Sequence, residues 1–394
     1  MAYPRLFIAG MPGTGKTVLL LLVATEWLLR GEDVYVLSSC TQSRATCTML
    51  HHLLLQQIQT ARCAGTECGQ VYYVHYFFCD EVDKALDDFL QKARGGSLHI
   101  VIDEPGRVDL SHHLKSFCER LLAQVPSLHL WATRVYFGNI PQGWLTGPLN
   151  VPLRFPPVVM REVAKAKNRQ LIQKFDPGKV RSFTDGPSVE IMCHQGQDHS
   201  YRFEDCIACG WNLGLYLRKL GVTAETPTLA ATSDSTSPPS LQYKDVFILH
   251  LASIGEDSGM LKGLREVGIP VRLLKETTDI EDFATARSDV VWMVVGDNVI
   301  GLERKVVVVL EPLARARDQD IRLHYMSRST SQLVFMLRQP FHSPVAFHDL
   351  PSVRNHLGGA LAVRRGGSEM ARAMVRKQES ISAREIHCCL LHSD

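Results

Sequence analysis

Short apolar runs alternate along this chain with stretches of helical periodicity. Arg5-Leu6-Phe7-Ile8-Ala9 is an apolar run that ends at Gly10, a helix-compatible stretch covers 17–30, and a second apolar run occupies 34–37. That order predicts strand, loop, helix, strand. Two further buried-strand patterns, 98–102 and 128–132, follow the amphipathic segments 81–94 and 112–124. Strands that alternate with helices imply a parallel sheet covered on both faces. The pattern blurs over 134–148, and Pro156-Pro157 opens a helix-like segment reaching Gln173. A second alternating region begins with 189–192 and continues through 246–251, a helix near 260–267, and the runs 271–274, 290–295 and 306–310. Within it, 221–242 is rich in Thr, Ser, Pro and Ala, a composition that cannot supply a core and reads as a flexible insert. Two α/β halves follow from this, without an internal repeat.

Composition narrows the class. Of 394 residues, 45% are hydrophobic and 21% charged, which fits a globular chain of two or three domains of about 150 residues each. Lys and Arg total 43 against 41 Asp and Glu, a formal net charge of +2. No global positive field therefore marks a nucleic-acid binder, and any such site must be a local patch. The longest apolar run near the N-terminus, Val18 to Ala24, is far short of the ~20 residues that cross a bilayer, so no membrane partner is expected. Gly13, Gly15 and Lys16 interrupt the hydrophobic stretch that a secretory leader needs, and the start reads as mature sequence. Eleven cysteines, an odd number in a chain large enough to bury its own core, point to reduced thiols and a cytoplasmic or nuclear setting.

The strongest chemical signal is Gly10-Met11-Pro12-Gly13-Thr14-Gly15-Lys16-Thr17, which satisfies the P-loop spacing between a predicted strand and a predicted helix. Each residue type has a reason. Glycines permit positive φ and close backbone approach, so that successive N–H groups and the helix N-terminus wrap a polyphosphate. Lys16 would neutralise β- and γ-phosphate oxygens, and Thr17 would ligate Mg²⁺. An acidic group at the end of a neighbouring strand must support the metal. Leu98-His99-Ile100-Val101-Ile102-Asp103-Glu104 offers Asp103 for Mg²⁺ and Glu104 to polarise the attacking water.

With those residues in place, the order of segments over about 5–338 resembles the ATPase core of superfamily 1 helicases of the UvrD/Rep type. Leu149-Asn150-Val151-Pro152-Leu153-Arg154-Phe155-Pro156-Pro157 is similar to the family's Leu-x-x-Asn-Tyr-Arg-Ser motif and the helix after it, which makes Arg154 a candidate γ-phosphate contact. The strand from Asp245 to Leu249 and the stretch from Leu261 to Val271, with Gly268-Ile269-Pro270, look like the family's strand, leucine-rich helix and Gly-Ile-Pro continuation. Gly301-Leu302-Glu303 before 306–309 is similar to the fifth motif and brings in Glu303 as a nucleotide-site residue. Tyr325-Met326-Ser327-Arg328-Ser329 resembles the sixth, with Arg328 as the arginine finger. The resemblance implies two RecA-like P-loop NTPase domains with parallel sheets covered by helices. Their expected extents are 1–148 and 149–340, followed by a partly helical tail over 341–394.

Departures from the family pattern are specific. The intervals from Lys16 to Asp103 and from Arg154 to Gly301 leave no room for large inserted subdomains, so a stripped core is expected. With the first predicted strand at Arg5, the family's adenine-reading glutamine motif is not expected in this sequence, and Leu153 stands where the base-stacking tyrosine would. The third motif survives at most as Gly138-Asn139-Ile140-Pro141-Gln142. Gln142 is then a γ-phosphate sensor, or it is an ordinary loop glutamine and Trp131-Ala132-Thr133 fills the strand end. Ser38, Ser39, Cys40, Thr41 and Gln42 offer hydroxyls and an amide to a phosphate backbone but no aromatic platform.

Cys193, His194, His199, Cys206 and Cys209 cluster in the second half, and Cys206-Ile207-Ala208-Cys209-Gly210 has zinc-knuckle spacing. The leading reading makes 205–220 a helix with Ile207, Trp211, Leu215 and Tyr216 on its buried face and cysteine as a small hydrophobe. The alternative has Cys193, His199, Cys206 and Cys209 ligate zinc. For the whole chain, the leading function is Mg²⁺-dependent hydrolysis of a nucleoside triphosphate, ATP by resemblance, with single-stranded DNA or RNA as an open partner. The alternative is an ATP-binding switch or scaffold with little turnover.

Overall fold

The computed structural model describes residues 4–93, 96–105, 111–135, 140–154, 156–164, 184–194, 204–224, 241–251, 254–275, 279–310 and 324–338. Outside them lie 225–240 of the expected insert, the end of the helix expected to reach Gln173, Gly138 and Asn139, His199, and the tail over 341–394.

Two parallel six-stranded sheets organise the chain, each flanked by helices in a RecA-like arrangement. The first contains β1 (Arg5–Gly10), β2 (Val34–Ser38), β3 (Val71–His75), β4 (Leu98–Asp103), β5 (Leu128–Arg134) and β6 (Leu145–Leu149), in the order β3-β2-β4-β5-β1-β6. Helices α1 (Lys16–Leu29), α2 (Thr41–Cys63), α3 (Val82–Lys92) and α4 (Ser111–Gln124) connect them. One face buries Leu20, Trp27, Leu50 and Leu54 against Val34, Val36 and Val101, and the other buries Phe89 and Phe117 against Ile100, Ile102 and Leu130. Both sides being covered explains why these strands read as unbroken apolar runs.

The second sheet contains β7 (Glu190–His194), β10 (Val246–His250), β11 (Val271–Leu273), β12 (Val291–Val295), β13 (Arg304–Leu310) and β14 (Ser329–Arg338), in the order β11-β12-β10-β13-β14-β7. Its helices are α5 (Pro157–Ala164), α6 (Ile207–Lys219), α7 (Gly259–Glu266) and α8 (Ile280–Thr285). A two-residue pair, β8 (Val222–Thr223) with β9 (Leu241–Gln242), lies beside it. Val306 to Val309, at the centre of this sheet, are fully buried. Met11, Ala45 and Val135 of the first lobe join Val159, Met160, Phe247, Tyr325 and Met326 in a single apolar cluster, so the lobes share part of their core.

The helix expected over 205–220 forms as α6, but of its expected buried face only Tyr216 packs against the core. Ile207, Trp211 and Leu215 point outward, Trp211 at 45% exposure, while Cys209, Gly210, Leu213, Gly214 and Leu217 are buried. Close helix packing selects this phase. A Cβ on Gly210 would stand 2.3 Å from the Met260 carbonyl oxygen, and one on Gly263 would stand 2.1 Å from that of Ile207. The small-residue stripe therefore faces α7, and the bulky apolar residues are left outside.

Candidate active site

The P-loop is built by backbone conformation first. Gly13 and Gly15 take φ of 71° and 90°, the left-handed region that favours glycine, and α1 begins at Lys16. No side chain caps that helix and its own first turn holds no acid, so its first N–H groups face the loop uncapped. Lys16 is buried. Its Nζ donates to the carbonyls of Gly10 at 2.9 Å and Met11 at 3.2 Å and pairs with Glu104 Oε1 at 3.1 Å.

Asp103 ends β4 and is fully buried. Thr17 Oγ1 donates to its Oδ2 at 2.6 Å and Thr46 Oγ1, from α2, donates to the same oxygen at 2.8 Å; Thr133 Oγ1, from β5, donates to Oδ1. Sheet register explains the last contact, because Thr133 pairs with Asp103 on one side and with Ile8 on the other. Glu104 follows with φ of 48°, a conformation rarely adopted by a non-glycine residue and characteristic of functional sites.

From the second lobe, Arg328 reaches the same cleft. It is 2% exposed, its Nε donates to the His324 carbonyl at 2.6 Å, and Nη2 is buried without a hydrogen-bond partner. Burial pushes its guanidinium below the usual arginine range, and Glu104, Glu303 and Asp103 pull it back. Arg154 Nη1 pairs with Glu303 Oε2 at 3.1 Å. Leu153 donates its N–H to the Gly13 carbonyl at 2.8 Å and lies over Gly15, so the segment before Arg154 rests on the P-loop. Pro12, Gly13, Gly15, Lys16, Thr17, Glu104, Arg154, Glu303 and Arg328 all line one cleft, with Val18, Leu21, Met49 and Leu53 as an apolar wall.

The structure places three candidate groups away from the cleft or the cysteine pair. Gln142 is exposed and is not among the residues lining the cleft; its N–H donates to Glu119 Oε1 at 3.2 Å, in a turn fixed by the buried indole of Trp144. Thr133 occupies the strand end instead. Ser38, Ser39 and Cys40 are buried rather than offered to a partner, and Ser38 Oγ lies 2.9 Å from Ser43 Oγ in a network that caps α2. Cys193 does not join Cys206 and Cys209. Neighbouring strand residues face opposite ways, and it is His194 that meets them. Thr46 and Thr133 have no motif of their own, and only the packing of α2 and the strand order show that their hydroxyls meet Asp103.

No family model and no curated protein matches the chain. Among solved structures it is similar to arterivirus nonstructural protein 10, a helicase, in complex with DNA, at 11% identity and a TM-score of 0.35, covering 86% of this chain and 61% of that one. It is also similar to S. cerevisiae Dbp5 in a complex that includes ADP, at 13% identity and a TM-score of 0.47, covering 85% and 80%. A third is the DEAD-box helicase Mss116 bound to ssRNA and UDP-BeF, at 9% identity and a TM-score of 0.44, covering 85% and 67%. The chain spans about three fifths of the arterivirus protein. These are similarities of fold, and they do not single out the UvrD/Rep type.

Proposed function

We propose that this chain hydrolyses a nucleoside triphosphate, ATP by resemblance, in the cleft between its two lobes. The observation that carries the reading is Arg328, a buried arginine from the far end of the chain with an unpartnered Nη2, lining the same cleft as Lys16. A buried donor without a partner is costly, and a γ-phosphate oxygen would satisfy it.

Thr17 and Asp103 suit Mg²⁺, since a hydroxyl and a carboxylate oxygen 2.6 Å apart are the hard oxygen donors it takes. When bound, the metal would neutralise phosphate charge during transfer. The protein's own groups do the rest. The P-loop N–H groups and the start of α1 cradle the phosphates, and Lys16 exchanges its carbonyl and Glu104 partners for phosphate oxygens. Glu104, released from Lys16, orients a water and accepts its proton as the water oxygen bonds to the γ-phosphorus and the bond to the β-phosphate oxygen breaks. Arg328 and Arg154 stabilise the charge that grows in this step. Until nucleotide arrives, the Lys16–Glu104 pair keeps the base occupied.

A second reading, nucleotide binding with little turnover, draws on the position of Gln142 outside the cleft. Steady-state phosphate release from the full chain, with and without single-stranded DNA or RNA, tests both. Release that depends on Mg²⁺ and on Lys16 supports hydrolysis. Stoichiometric nucleotide binding without release leaves the switch, and stimulation by a nucleic acid adds that partner.

A further inference from the structure

Away from the nucleotide cleft, the second lobe brings His194, Cys206 and Cys209 together in its interior. All three are buried, and their donor atoms lie within 4.8 Å of one another. We propose that they hold a zinc ion that ties β7 to α6.

Geometry is the first support. Zinc takes thiolate sulfur at ~2.3 Å and imidazole nitrogen at ~2.0 Å in a tetrahedron, which sets ligand atoms roughly 3.5 to 3.8 Å apart. His194 Nδ1 already stands 3.1 Å from Cys209 Sγ. The chain needs only small side-chain adjustments to close around an ion.

Local structure supports the same assignment. Cys206 is the N-cap of α6, and its sulfur accepts the Cys209 N–H at 3.4 Å, so Cys-x-x-Cys sets both sulfurs at the first turn. Two thiolates, one neutral imidazole and a divalent ion sum to zero charge, which a buried site requires. Sulfur and nitrogen donors select zinc over Mg²⁺ or Ca²⁺.

Competing explanations account for less. Cysteine as a small hydrophobe fits the burial of Cys206 and Cys209, and a hydrogen bond fits the 3.1 Å contact of His194 Nδ1 with Cys209 Sγ, but neither calls for all three donor atoms within 4.8 Å of one another. A dithiol that exchanges with partners needs exposed sulfur, and neither residue is exposed. A metal also has structural work to do, because among the described residues β7 is the edge strand of its sheet, paired only with β14, and His194 is its last residue. The ion would bind that loose end to the helix that follows.

The full chain, produced with zinc and purified without chelator, should carry about one zinc per molecule. A mercurial titrating the thiols should release it in step with their modification. Cobalt substitution should give an intense near-ultraviolet thiolate band, and X-ray absorption should show two sulfurs and two lighter neighbours, with water as the fourth ligand. Cys206→Ser with Cys209→Ser, and separately His194→Gln, should lose the metal, whereas Lys16→Ala should keep it, which separates this site from the Mg²⁺ site. If those variants fail to fold, the cobalt spectrum of the parent chain decides. A folded chain with no zinc and no cobalt–thiolate band, or zinc retained by the double cysteine variant, overturns the assignment.

Discussion

Replacing Arg328 with alanine should slow turnover about a thousandfold while leaving nucleotide affinity within about tenfold of the parent. The size follows from its setting. Arg328 is 2% exposed, so solvent screens it little. A unit charge ~4 Å from growing negative charge at an effective dielectric of ~20 contributes about 4 kcal/mol, or roughly 10³ in rate. Ground-state binding should change far less, because Lys16 and the P-loop amides hold the phosphates before transfer begins. Folding should survive, since alanine removes a buried and incompletely bonded cation along with its attraction to Asp103, Glu104 and Glu303. Arg328→Lys should recover only part of the rate, because lysine keeps the charge but not the planar fork or the bond to His324. Single-turnover phosphate release at saturating Mg-ATP gives the rate, and calorimetry with a non-hydrolysable analogue gives the affinity. A folded Arg328→Ala variant that hydrolyses at the parent rate would refute the role. Equal affinity loss with an unchanged rate constant would make Arg328 a ground-state contact instead.

Lys16→Ala should abolish phosphate release and weaken triphosphate binding, and unchanged hydrolysis in that variant would remove the ATPase reading altogether. Thr133→Val keeps the side-chain shape but deletes a donor to buried Asp103, so urea unfolding should show a loss of about 1.5–3 kcal/mol; a shift near zero would mean the contact is dispensable. Burial, helped by His129, pushes the His99 imidazole down to about 4. Because its folded value lies below the unfolded 6.5, stability is full above that pH and is lost as pH falls from 6.5 towards 4. Chemical denaturation at pH 7 and pH 5 should show the fall, and His99→Phe should flatten it. Gly210→Ala should destabilise the second lobe by several kcal/mol through its clash with the Met260 carbonyl, whereas Trp211→Ala next door should cost about 1 kcal/mol or less. Matching melting shifts for the two would contradict the face assigned to α6.

What the sequence discloses depends on whether the signal is local. The P-loop and Asp103-Glu104 are contiguous residues between recognisable elements, and both are legible without a structure. Thr46 and Thr133 are plain threonines in a helix and a strand. Thr133 becomes a partner of Asp103 because β5 lies beside β4, and Thr46 because α2 packs against the same strand end, an arrangement that no stretch of sequence states. For α6, side-chain size misleads, since the larger apolar stripe loses to the glycine face that can approach α7. Gln142 fits a motif spacing, but spacing is blind to the buried Trp144 that turns its loop outward. In the cysteine cluster the residue types are readable while strand alternation, which decides between Cys193 and His194, needs the register of β7.

Sharing one apolar cluster gives the two lobes a pivot. Met11 belongs to the P-loop itself, and Met326 stands two residues from Arg328, so the cluster runs from the loop of one lobe to the arginine of the other. Pulling the lobes straight apart would expose Met11, Ala45, Val135, Met160 and Met326 together, at about 25 cal/mol for each Å² of apolar surface. Rocking about the cluster leaves it intact and swings only the far rim of the cleft, where Arg154 and Glu303 are the more exposed groups. On the proposed function, such a tilt would move Arg328, which adjoins the cluster through Met326, less than it moves the rim.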